Sequence, residues 1–92
     1  MMDEIEARNV ACRVRLFKLG VSWTTRWYWD GGSVQHRNYR TGKGAAGQEV
    51  EIRHGHLRWC KRFSNLEMDA LKVDFVDEML REAERMIDRG EF

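Results

Sequence analysis

Arginine and aromatic residues recur along the first two thirds of this 92-residue chain at spacings that would array them on one side of a sheet. The planar fork of arginine matches phosphate and carboxylate oxygens, and aromatic rings can stack on bases or on guanidinium groups. Arg13, Arg15, Arg26, Arg37 and Arg58 are the candidate anion contacts. Phe17, Tyr28 and Tyr39 are the candidate stacking surfaces, and Lys43 adds a cation within a glycine-rich loop. The implied chemistry is recognition of a polyanion, most readily a nucleic acid, with an acidic protein surface as the alternative partner. The plain alternative is a solvated sheet face partly neutralised by Glu49 and Glu51.

Other constellations are weaker. The run Gly42-Lys43-Gly44-Ala45-Ala46-Gly47 fits the letters G-x-G-x-x-G. A dinucleotide fingerprint must lead from a strand into a helix, whereas Gln48 to Ile52 reads as a strand. The run is therefore expected to be a mobile connection. Zinc needs four convergent ligands; His54, His56, Cys60, Cys12 and His36 are spread over turns and opposite faces of the expected sheet, so no metal or cofactor is expected. His56 with Glu49 or Glu51 could form an acid–base set, but nothing in the spacing positions them for proton transfer. The serines Ser22, Ser33 and Ser64 have no nucleophile-elbow context. A non-enzymatic binding module is the expectation, with an inhibitor or adaptor of the phage or mobile-element accessory type as the other reading.

The elements that would position these residues follow from turn chemistry and alternation. Strands are expected at about 10–18, 21–29, 33–40, 48–53 and 56–62. Two-residue turns at Leu19-Gly20, Asp30-Gly31 and His54-Gly55 would set their register. Side chains alternate faces along a strand. That register gathers Trp23, Trp27, Trp29 and Trp59 with Val10, Cys12, Val14 and Leu16 on one face, and the arginines on the other. It also opposes Arg13 to Arg26, a like-charge conflict that an anion would relieve. Ser64 and Glu67 form a capping box that starts a helix, and Gly90 can end it, so 65–89 is expected to be one helix.

The resulting expectation is an α+β fold: a twisted five-stranded antiparallel meander with one long C-terminal helix on its tryptophan-rich face, as a single domain over 1–92. That helix is apolar over more than the usual arc. Met68, Leu71, Phe75, Met79 and Met86 form a second band, which suggests a homodimer or a sheet curled around the helix. Charge is divided along the chain: 8–62 holds twelve Lys/Arg against three Asp/Glu, and 63–92 holds four against nine. No stretch approaches the ~20 apolar residues that span a bilayer. The acidic start is unlike a signal peptide, so a cytoplasmic location with two reduced cysteines is expected.

Overall fold

A computed structural model describes residues 2–31 and 34–92. Its elements are a helix Glu4–Lys18 (α1), strands Val21–Tyr28 (β1), Gly47–His54 (β2) and Leu57–Ser64 (β3), and helices Asn65–Ala70 (α2) and Phe75–Asp88 (α3). The three strands form one antiparallel sheet in the order β1-β2-β3. The α+β class and the antiparallel sheet agree with the sequence reading. The five-stranded meander is corrected to three strands.

The largest correction is at 10–18, which is helix rather than strand. Asp3 is the N-cap and accepts a hydrogen bond from the Glu6 backbone N–H at 2.8 Å. Glu4 and Glu6 sit in the first turn and Arg15 and Lys18 in the last, which complements the helix dipole. Gly20, at φ 80°, follows the helix and donates its N–H to the Phe17 carbonyl at 3.1 Å. Leu19-Gly20 is therefore a helix stop rather than a hairpin turn. Val10, Cys12, Val14 and Leu16 mimic strand alternation, but the caps at both ends decide the outcome.

The expected strand at 33–40 is also absent. Val34–His36 is a single 3-10 turn; Ser33 and the side chain of His36 lie outside the described part. Asn38 then accepts from the backbone N–H groups of Arg40 and Thr41 at 3.0 and 3.1 Å, an Asn-centred turn that competes with strand pairing. The predicted single helix 65–89 is broken. The Ser64–Glu67 capping box forms as expected, but Leu71 is extended and Asp74 starts a new helix by accepting from Val76 and Asp77 N–H groups. Gly90 at φ 73° closes α3.

The β2–β3 turn is Gly55-His56, one residue later than expected, with Gly55 at φ 61° in the first central position. His54 thus pairs with Leu57, and Ile52 with Trp59 rather than with Leu57. The shift along β3 is two residues, so every side chain keeps its expected face. β1 pairs with β2, Val21 opposite His54 through Tyr28 opposite Gly47.

The core is Cys12, Leu16, Val21, Val50, Ile52, Phe63, Met79, Leu80 and Ala83. None of the four tryptophans is fully buried: Trp23 and Trp59 pack at its margin, and Trp29 lies beyond the end of β1. Met79 is a core residue and Met68, Leu71 and Phe75 pack against the core within the chain, while Met86 is half-buried. The excess apolar arc is thus largely used inside the chain, because the break at 71–74 lets α2 lie along β3 while α3 turns onto β2 and α1. Among the described residues no helix is long and apolar enough to cross a membrane.

Candidate anion-binding sheet face

The sheet face turned away from this core carries four cross-strand rows. They are Ser22–Arg53–Arg58, Thr24–Glu51–Cys60, Arg26–Glu49–Arg62 and Tyr28–Gly47–Ser64. Four arginines thus surround two glutamates on the central strand. Glu49 and Glu51 are each only 8 % exposed although no helix covers them, because the arginine side chains of the flanking positions lie over them. The guanidinium-bearing side chains of Arg26, Arg53 and Arg62 remain more than half exposed.

Glu49 accepts from Arg26 through one oxygen and from Arg62, at 3.0 Å, through the other. Glu51 is paired with Arg53, and Cys60 points its thiol at the same carboxylate at 3.7 Å. The hydrogen bonds from Arg26 and Arg62 hold the Glu49 carboxyl below its ordinary range, and Arg53 does the same for Glu51. The Cys60 thiol is pushed up, first by desolvation and then by Glu51.

Arg58 differs from its neighbours. It lies directly opposite Arg53, and among the described residues it makes no ion pair. Like charges in that relation repel, an effect that Glu51 partly offsets, since it pairs with Arg53 and its carboxyl is also lowered by the charge of Arg58. A depression of about 400 Å³ lined by Arg53, Gly55, His56, Leu57 and Arg58 opens beside the pair. A second, of about 340 Å³, is lined by Ser22, Trp23, Thr24, Arg26, Glu51 and Arg53. The expected like-charge conflict between Arg13 and Arg26 is absent, because Arg13 is on α1 and does not face Arg26, whereas Arg53 and Arg58 are opposed across β2 and β3.

The structure disperses the other predicted contacts. Arg13 binds Asp77 at 2.6 Å, and Arg15 binds Asp88 at 2.5 Å and Glu84 at 3.1 Å, so both tie α1 to α3. Arg26, Arg58 and Tyr28 do lie on the outer face, but the Tyr28 ring is covered by the Arg62 guanidinium at 4.8 Å. Arg37 and Tyr39 pack on Trp29 in the loop after β1, at 5.3 and 4.8 Å. Phe17 is 79 % exposed on α1, remote in sequence and element from the face. Lys43 is exposed in the glycine loop.

Those loop glycines serve packing. Gly42, at φ 75°, sits against the Trp27 indole so closely that a Cβ would come within 2.4 Å of it. A Cβ at Gly47 would meet the Phe63 carbonyl at 2.0 Å. Arg53 and Arg62 belong to the site but were absent from the predicted contacts, although alternation places them on the same face as Arg58. Among the described residues no cluster of three or more His, Cys, Asp or Glu could hold a metal ion. Comparison with protein-family models, with curated proteins and with solved structures returned no match.

Proposed function

We propose that this protein is a binding module whose outer sheet face engages a polyanion, with nucleic acid the best fit. The observation that carries the reading is the Arg53–Arg58 opposition beside an open depression. A phosphate seated between two guanidinium groups converts their repulsion into two charge-assisted contacts. Arg26 and Arg62 extend the positive surface along the strands, and the two glutamates leave the face at a net +2.

Contact is with the phosphate backbone. The Tyr28 ring is occupied by Arg62, and Tyr39 by Trp29, so neither stands free to stack on a base. Binding should therefore be sequence-independent and similar on single strands and duplexes of equal charge density.

Titration of labelled single- and double-stranded oligonucleotides at increasing salt tests this reading. Two to four phosphate contacts from Arg26, Arg53, Arg58 and Arg62 give a slope of log K against log salt of roughly −2 to −4 on duplex DNA. No binding at low salt rejects a nucleic-acid partner. Binding of polyglutamate under those conditions would point to an acidic protein surface instead.

A further inference from the structure

Helix α1 is apolar on two opposite sides. Cys12 and Leu16 are buried, and the ion pairs of Arg13 to Asp77 and of Arg15 to Glu84 and Asp88 bracket that side against α3. At about 100° per residue, Val14 falls on the side pointing directly away from α3, and Val10 and Phe17 are turned about 40–60° from it toward Arg13, where Val10 lines a depression with Arg13 and Asp77. Val10, Val14 and Phe17 are 45, 47 and 79 % exposed. Their spacing, i, i+4, i+7, is that of helix-packing positions. Ala7 continues the same stripe toward the helix start.

The stripe is complementary to itself when reversed. A two-fold axis midway between Val10 and Val14 sets Val10 against Val14 of a second copy, and Ala7 against Phe17, small against large. The charges follow the same symmetry. Glu4 and Lys18 lie on one flank of the stripe, at opposite ends of the helix. Antiparallel docking brings Lys18 beside Glu4 of the second copy, twice per dimer, whereas parallel docking about a two-fold axis sends the two flanks to opposite sides and forms neither pair. Glu4 has only a loose contact of 3.8 Å with Arg8 inside the chain and is free to exchange it.

We infer that α1 is a self-association surface on which a second copy of this chain docks antiparallel, closing a two-fold dimer. The contact is isologous, so it terminates at two copies. One helix pair buries less than the roughly 800 Å² per partner of a standard interface, so the dimer dissociates on dilution.

Disulfide trapping tests the geometry. In a Cys60→Ser background, Val10→Cys protein is mixed with Val14→Cys protein under mild oxidation. The expected result is a covalent 10–14 heterodimer formed several-fold faster than either homodimer. Homodimers at 10–10 and 14–14 in excess would overturn the antiparallel register. Sedimentation from micromolar to millimolar concentration should show a monomer–dimer equilibrium, weakened more than tenfold by Phe17→Glu. A monomer throughout, or a dimer untouched by Phe17→Glu, would overturn the proposal. All three substituted residues are exposed, and an unchanged helical circular-dichroism signal confirms that the variants fold.

Discussion

Leu16 and Val14 stand two residues apart on α1, and they face opposite ways: Leu16 is fully buried, whereas Val14 is 47 % exposed. On a strand the two would share a face. On a helix they are about 200° apart. Leu16→Ala should therefore cost about 2–5 kcal/mol, the range for truncating a buried leucine. Val14→Ala should change monomer stability by less than about 0.5 kcal/mol, as surface substitutions do. Denaturant unfolding of dilute protein measures both, and equal losses would restore the strand.

Gly42 gives a second contrast. Gly42→Ala adds a methyl group into the Trp27 indole and also places alanine at φ 75°, so its cost should exceed the about 1–2 kcal/mol of a left-handed residue alone. Gly55, at φ 61°, has open space where its Cβ would be. Gly55→Ala should incur the backbone penalty only. Thermal unfolding ranks the two, and a shift in tryptophan emission should accompany Gly42→Ala alone.

These contrasts mark what the sequence could convey. Three of the strands and the Ser64 capping box were legible, because alternation and capping are local signals, whereas the expected tryptophan-rich face is not borne out, since Trp29 lies beyond β1 and no tryptophan is fully buried. The first helix was not, since Val10, Cys12, Val14 and Leu16 satisfy a period of two while α1 has apolar residues on both sides. The decisive signals there were Asp3 with Glu6 three residues later, and Gly20 after Lys18. The break at 71–74 was hidden because Leu71, Lys72 and Val73 fit a helix; only Asp74, an N-cap residue inside an acidic stretch, hinted at it. On the outer face, alternation correctly grouped Arg26, Arg58 and Tyr28. Helical Arg13 and Arg15 could not be separated from them without knowing that 10–18 is helix.

Acid should weaken the fold. Arg26 and Arg62 depress the Glu49 carboxyl, Arg53 that of Glu51, Arg85 that of Glu82, and Arg15 that of Asp88. A folded-state value below the unfolded one means that the unfolded chain takes up protons first. Stability from these groups is complete above the ordinary carboxylate values, 4.5 for Glu and 3.8 for Asp. It is lost as pH falls through the lower folded values. Urea midpoints between neutral pH and pH 3 should show a steady decline setting in as the ordinary Glu value is approached, and Glu49→Gln should make it shallower. A flat profile would mean that the arginine–glutamate pairs contribute nothing to the fold.

The polyanion reading rests on opposite roles for charges on one face, and a single set of salt titrations with a duplex oligonucleotide tests it most directly. Arg58→Ala should weaken binding and reduce the magnitude of the salt slope by about 1, with folding intact or improved because the Arg53 opposition is relieved. Glu49→Gln keeps the shape of the side chain, releases Arg26 and Arg62, and should tighten binding. If Arg58→Ala binds like the unaltered protein, or Glu49→Gln binds more weakly, the outer sheet face is not the polyanion site.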